Sequence, residues 1–237
     1  MQRLNSYWEN LWQASQNTEV ETADSQTIRL HHDLTQPAVV SGESNIWLPS
    51  PAKGVKRQLL ERDGGEKTLR ATSIVAYAPN SYFNAHTHPL GEEFFVLHGT
   101  FSDEHGDYPA GSYVRNPPGS SHKPHSSEGC LIYVKLQQFR ENDATQLALT
   151  EINNSSQKAI LFDDYEKVEL IEIAQQQELS FWQHNGVELL LLEGNLNSNQ
   201  ATLSTGDWQR LPANHSVTLI ANQNSKLLLK TGHLNNA

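Results

Sequence analysis

The residues best placed to do chemistry lie in "AHTHPLGEEFFVLHG", residues 85–99. His86 and His88 stand two apart, a Pro-Leu-Gly break follows, and Glu92 and Glu93 open an apolar run. Histidine is seldom used to fill a core, and two imidazoles beside a carboxylate make a ligand set. On a β-strand, residues two apart share a face, roughly 7 Å from one another. On a helix the same spacing would throw them about 200° apart. The break supplies a turn that returns Glu92 toward the histidines. A fourth candidate, His122, ends "GSYVRNPPGSSH", where Gly111, Pro117 and Gly119 shape the turn before it. Such a set binds a divalent metal and leaves coordination positions open. The expected ligands are therefore His86, His88, Glu92 and His122, a set that suits Zn, Fe, Mn, Ni or Co.

The elements that must carry these residues are strands. From about residue 37 onward, short runs such as "ATSIVAYAPN", "EEFFVLHG", "GSYVRNPPG" and "CLIYVKL" are rich in Val, Ile, Tyr and Phe and end in Gly, Pro or Asn, the pattern of a β-sandwich or barrel. Residues 140–159 are polar and break the rhythm, after which the pattern returns. "HPLGEEFFVLHG" aligns with "HNGVELLLLEG", "GSYVRNP" with "GDWQRLP", and "LIYVKL" with "KLLLKT". The offset is 96 residues before a single deletion and 95 after it, which reads as a duplicated β domain. The expected organisation is an N-terminal helix and linker over 1–36, a metal-binding barrel over 37–139, a linker over 140–159 and a second, degenerate barrel over 160–237. Leu4, Tyr7, Trp8, Leu11 and Trp12 recur at helical spacing, and Ser6 with Glu9 makes a capping box. This helix is expected to dock on its own domain. Residues 16–36 read as linker, with His31 and His32 at the surface.

The ligand and turn residues together match the cupin signature, G(X)5HXH(X)3E(X)6G followed by G(X)5PXG(X)2H. His86, His88, Glu92 and Gly99 fill the first block, and Gly111, Pro117, Gly119 and His122 the second. The chain departs where Asn80 or Ser81 replaces the first glycine and Ser126 a final asparagine. The stretch from about 45 to 138 further resembles the cupin-like domain of ChrR-type anti-sigma factors. That resemblance implies an all-β, double-stranded β-helix (jelly-roll) fold, here two barrels in tandem. It also implies a zinc ion held by the counterparts of His86, His88, Glu92 and His122. In that family a separate zinc-binding domain with a CxxC pair grips the sigma factor. Residues 1–36 contain no cysteine, so the sigma-inhibiting role does not carry over. What does carry over is a metal-bound cupin taking part in sensing oxidative stress.

In the second half, His88 maps to His184 and Glu92 to Glu188, whereas His86 maps to Trp182 and His122 to Val217. With His215 two residues from the required position, some metal affinity at His184, Glu188 and His215 stays open. Among the other candidates, Glu93 is expected on the opposite face from Glu92, solvent-facing or paired with a base. His98 is either a donor behind the ligands or a strand-end residue, His105 is at the surface, and His125 is near the barrel mouth. Cys130 reads as a small buried hydrophobe, with a redox-sensing thiol as the alternative. Tyr82, Phe83, Phe94, Val96, Tyr113, Leu131, Ile132 and Tyr133 are expected to line or pack the first barrel. Arg115 and Lys135 read as solvent-facing, with a charged substrate clamp as the alternative.

The 237 residues carry a formal charge of −10 and no Lys/Arg cluster, so direct nucleic-acid binding is not expected. No stretch approaches the ~20 apolar residues of a membrane helix, and the N-terminus lacks an apolar signal core. With one cysteine no internal disulfide forms, and a cytoplasmic address fits. The expected function is a metal-binding regulatory or stress-sensing bicupin related to transcription regulation, holding one divalent ion, zinc first. The alternative is a metal-dependent dioxygenase or isomerase acting on a small organic substrate at the same site. A protein partner, a small-molecule ligand in the first barrel and a homodimer through exchanged edge strands are the expected partners.

Overall fold

The computed structural model describes residues 6–20, 28–65, 68–152 and 157–234. Strands dominate it, with one helix, Ser6–Asn17, among the described residues. The chain separates into two compact units: Met1–His32 with Ile46–Glu151, and Asp33–Asn45 with Ile152–Ala237.

In the first unit one antiparallel sheet runs in the order Ile28–Leu30, Val55–Gly64, Thr68–Tyr77, Cys130–Leu136, Glu92–Asp103, Tyr113–Asn116, Leu147–Leu149. A two-stranded sheet of His86–His88 and Ser120–His122 carries the histidines. Strand alternation sends Phe94 and Val96 into the core with Ile132, Val134 and Phe101, while Glu93 and Phe95 take the other face. The long strand Glu92–Asp103 changes register opposite Leu131/Ile132. Just beyond, Gly99 stands at φ 69° with the Gly129 carbonyl so close that a Cβ would lie 2.2 Å from its oxygen. Only glycine fits that bend.

The helix docks on its own unit, as expected. Trp8 is buried, the Trp12 indole N–H donates to the Tyr77 carbonyl at 2.9 Å, and its ring lies 5.3 Å from His98. The Lys56 ammonium donates to the Ser15 and Thr18 carbonyls at the helix C-terminus, where a cation is favoured. Leu4 lies outside the described residues.

Several boundaries differ from the sequence reading because short polar segments find a sheet edge to pair with. Ile28–Leu30, expected in a linker, pairs with Arg62–Gly64. Leu147–Leu149, also expected in a linker, pairs with Tyr113–Arg115. Ala38–Val40, assigned to the first barrel, pairs with Trp208–Arg210 and closes the edge of the second unit's sheet. His32 is exposed, but His31 is half-buried, with its Nδ1 2.8 Å from the Leu60 carbonyl.

The second unit repeats the arrangement with a sheet ordered Lys158–Asp163, Lys167–Ile173, Ser225–Thr231, Val187–Glu193, Trp208–Leu211, Ala38–Val40. A smaller sheet holds Glu178–Gln183, His215–Ala221, Asn195–Ser198 and Thr202–Ser204. Register fixes the correspondence between the halves. Glu93 lies opposite Arg115 and Lys135, and Glu188 lies opposite Arg210 and Lys230, each pair of equivalents being 95 residues apart. The offset is thus constant, without the single deletion inferred from residue identity. No helix among the described residues is long and apolar enough to cross a membrane.

Candidate metal centre

His86 and His88 project from the same face of one short strand, and its partner strand sets His122 directly opposite His86. The three rings lie 4.8, 4.9 and 5.4 Å apart, centroid to centroid. One nitrogen from each lies within 4.8 Å of the others, the only such group of three or more potential ligands among the described residues. Glu92 reaches the same point, its Oε2 3.6 Å from His88 Nε2 and 3.4 Å from His122 Nε2. The structure therefore brings the three histidines together, with the Glu92 carboxylate beside two of them.

Three of the four are held from behind. The Asn84 carbonyl lies 2.8 Å from His86 Nδ1, and the Asp103 carboxylate 3.1 Å from His122 Nδ1. Either contact puts the proton on Nδ1 and leaves the Nε2 lone pair for an ion. Asn116 donates to Glu92 at 3.2 Å and is itself positioned by Gln146 at 3.0 Å. Burial alone would push the Asp103 carboxyl up, but hydrogen bonds from His122, the His105 N–H and Tyr108 hold it below the usual range. Burial alone would push His122 down, yet the Asp103 bond and the Glu92 charge raise it. Burial dominates at His88 and lowers it, against the pull of Glu92.

The residues fit a divalent ion by a direct test. Nε2 of His88 and Nε2 of His122 are buried and make no hydrogen bond. A buried polar atom without a partner is costly in a native fold. Two of them aimed at one point beside a carboxylate is what a cation relieves. The turn residue that departs from the family pattern is also explained: Asn80 adopts φ 60°, the left-handed conformation that asparagine tolerates after glycine.

Among its described residues the second barrel has no such site. Constant offset maps His86, His88, Glu92 and His122 onto Phe181, Gln183, Val187 and Val217, and the pairing of Phe181 with Val217 repeats that of His86 with His122. Val187 and Val217 are core residues with Phe181 packed against them. Glu188, matched to Glu92 in the sequence reading, is instead the equivalent of Glu93. It accepts from Trp208 at 2.7 Å and lies 2.9 Å from His233 Nε2. His184 is exposed beside Trp182, and His215 Nδ1 lies 3.0 Å from the Ala213 carbonyl. These three gather no ligand group.

Other candidates fall elsewhere. Glu93 is buried and paired with a base, accepting from Tyr113 at 2.6 Å with Arg115 at 3.6 Å. Arg115 and Lys135 are fully buried on that opposite face, not solvent-facing as expected. There Arg115 pairs with Asp143 and stacks on Phe139, and Lys135 donates to Thr72. Tyr113 belongs to this face too, and Tyr82 is exposed. His105 is exposed as expected, and His98 serves the helix. Half-buried His125 lines a separate surface cavity of about 470 Å³ with Tyr82, Glu104 and Lys123. Cys130 is fully buried, and burial pushes its thiol up to about 12, which removes the redox-sensing alternative.

A cavity of about 580 Å³ opens onto the histidines, lined by His86, His88, Glu92, apolar side chains and two residues the sequence reading missed, Arg57 and Arg62. They stand in the charged strand "VKRQLLERDG", whose inward face period-two alternation does not reveal.

The barrel with its ring of histidines defines a cupin, and the doubled architecture a bicupin. Residues 35–140 match the ChrR cupin-like domain family. No curated protein matches the sequence. Ylba from E. coli shares the fold with a TM-score of 0.67 at 14% identity, over 87% of this chain and 93% of that one. The bacterial pirin YhhW from Escherichia coli, solved in complex with nickel(II), superposes with a TM-score of 0.64 at 14% identity, over 83% and 98%. AerE from Microcystis aeruginosa gives 0.60 at 14% identity, over 79% and 97%.

Proposed function

We propose that the first barrel binds one divalent metal ion through His86, His88 and His122 with Glu92 as the fourth ligand, and acts through it on a small organic molecule. The carrying observation is the convergence of two unpartnered, buried Nε2 atoms with a third imidazole and a carboxylate. The adjoining cavity favours catalysis over a purely structural staple, because a staple has no need of a 580 Å³ approach to its ion. When bound, the ion polarises an oxygen donor of the substrate. The protein's own part is positional. Asp103 and the Asn84 carbonyl fix the ring tautomers, and Asn116 holds the Glu92 carboxylate. The apolar wall of Val75, Phe83, Ile132 and Val134 keeps water away.

Zinc is the first choice of ion because of the ChrR match, and the nickel(II) of the pirin makes nickel the second. A regulatory role in oxidative-stress sensing is the second reading, favoured by the same family match. Elemental analysis of protein purified without added metal tests the site. About one ion per chain is expected, falling to background in H86A/H88A/H122A of unchanged circular dichroism. Full metal content in that triple variant overturns the site. Oxygen uptake over a panel of diketones and flavonols separates the readings: turnover supports the enzyme, and stoichiometric zinc without turnover supports the sensor.

A further inference from the structure

We propose that Ser120 is a positioning residue of the metal centre, its hydroxyl donating to a water-sized ligand that the ion holds beside it. This role rests on the proposed metal site and adds to it a coordination position separate from the cavity.

Strand register puts the hydroxyl on the ligand side. In the two-stranded ribbon His122 lies opposite His86, and Ser120 lies opposite His88. Residues two apart on a strand share a face, and residues directly opposite across the pair share it as well. Ser120 therefore occupies the fourth corner of an array whose other corners are the imidazoles of His86, His88 and His122. Ser121, on the reverse face by the same alternation, is exposed, and its hydroxyl donates to the His86 carbonyl at 3.0 Å.

The Ser120 hydroxyl has no task in the turn that precedes it. Backbone groups close that turn: the Ser120 N–H donates to the Pro117 carbonyl at 3.0 Å, and the Gly119 N–H to the His88 carbonyl at 2.8 Å. Among the described residues Ser120 Oγ is buried and makes no hydrogen bond, as is also true of Nε2 of His88 and of His122. Such atoms are rare in a native fold because each forfeits its hydration. A cation satisfies the two nitrogens. The hydroxyl proton needs an acceptor instead, and a ligand on that cation supplies one.

Side-chain length decides that Ser120 is not a metal ligand itself. A serine oxygen is bonded directly to Cβ, whereas an imidazole Nε2 lies at the far side of its ring. The hydroxyl stops short of the point where the Nε2 atoms converge, and one small molecule bridges the gap. Its size is limited because Ser120 Oγ is closed to solvent. The cavity of about 580 Å³ is lined by His86, His88 and Glu92, and neither Ser120 nor His122 is among its lining residues. The position beside Ser120 is therefore distinct from the one reached through the cavity. It takes water or an ion of that size, and the cavity takes the organic molecule.

Cobalt(II) suits the ligand set and reports its coordination by visible absorption. Fluoride matches water in size and accepts hydrogen bonds strongly, whereas chloride is larger and accepts them weakly. A hydrogen bond to a charged acceptor contributes more than one to water, so fluoride replacing the water gains from Ser120 and chloride gains little. Titrating both halides into cobalt-loaded protein is expected to show fluoride binding weakened about fivefold in S120A, with chloride binding changed by less than about twofold. S120T keeps the hydroxyl and is expected to restore the fluoride affinity. Cobalt affinity, read by competition with a chelator, is expected to stay within about twofold of wild type in both variants, well short of the loss on changing a partner of a ligating histidine. An unchanged preference for fluoride over chloride in S120A would overturn the proposal and leave the metal site standing. Weakened cobalt binding in S120A with that preference intact would overturn it too, by making Ser120 a support of the ligands. Wild-type protein that takes up no cobalt would overturn the metal site itself, and this role with it.

Discussion

Replacing Asp103 by asparagine should damage the metal site without touching a ligand. Asp103 Oδ1 accepts from the His105 backbone N–H at 2.8 Å and from the Tyr108 hydroxyl at 3.2 Å, while Oδ2 faces His122 Nδ1 at 3.1 Å. A backbone N–H cannot turn away, so the asparagine carbonyl must stay with it. The amide NH₂ is then left pointing at His122. Two donors cannot face each other, so Nδ1 gives up its proton, Nε2 gains one, and the lone pair aimed at the ion is lost. Changing a partner behind a ligating histidine typically weakens metal binding 10- to 100-fold, about 1.4–2.7 kcal/mol. Competition against a metal-responsive chelator at pH 7.5 reads this directly. The rise in unfolding free energy on adding metal should shrink by the same amount, because an ion that binds only the folded state stabilises through its affinity. H122A should lose more than D103N. Affinity for D103N within about twofold of wild type, well short of that range, would show that Asp103 does not set the tautomer and that His122 Nε2 is not a ligand.

Cys130 should resist alkylation in the folded protein at pH 8 and react once urea unfolds it, since burial holds its thiol near 12; rapid labelling of the native state would contradict its placement. R115M should cost about 3–5 kcal/mol in urea unfolding, because it strands the buried Glu93 and Asp143 carboxylates; a loss under about 1 kcal/mol would refute that pairing. Burial lowers the pKa of His98, partly offset by Glu9. The unfolded chain therefore takes up the proton first as pH falls, so the His98 share of stability is full above about 6.5 and declines below it. The stability gap between wild type and H98Q should accordingly narrow between pH 7.5 and 5.5, and a gap independent of pH would count against that environment.

The histidine cluster and the carboxylate beside it were legible because strand periodicity and a tight turn convert spacing into position with little help from the rest of the chain. The duplication was legible as well, but its register was not. Residue identity drew His184 onto His88 and Glu188 onto Glu92, whereas pairing sets Glu188 opposite Arg210 and Lys230, as Glu93 is set opposite Arg115 and Lys135. The glycines at 91 and 186 and the bases at 115, 210, 135 and 230 carry that signal. They were overlooked because Arg and Lys in a strand suggest a solvated face. Arg57 and Arg62 escaped for a related reason: the register shift between them is a property of two strands pairing, which one strand's sequence does not display.

The two faces of the sheet explain why one half keeps a metal site and the other does not. On one face each half buries a carboxylate beside an aromatic donor, Tyr113 serving Glu93 and Trp208 serving Glu188, with an arginine and a lysine opposite it in the strand register. Removing one member of such a set leaves a buried charge uncompensated, so the set resists piecemeal change. On the other face a polar site can be exchanged for packing, because replacing all the ligands removes the desolvation cost together with the ion. The second barrel has made that exchange, with Phe181, Val187 and Val217 filling the space that His86, Glu92 and His122 keep open in the first. On that face its stability therefore comes from apolar contact. The first barrel, holding a cavity and buried polar atoms in the same place, gives up that packing, a cost that a bound cation would offset.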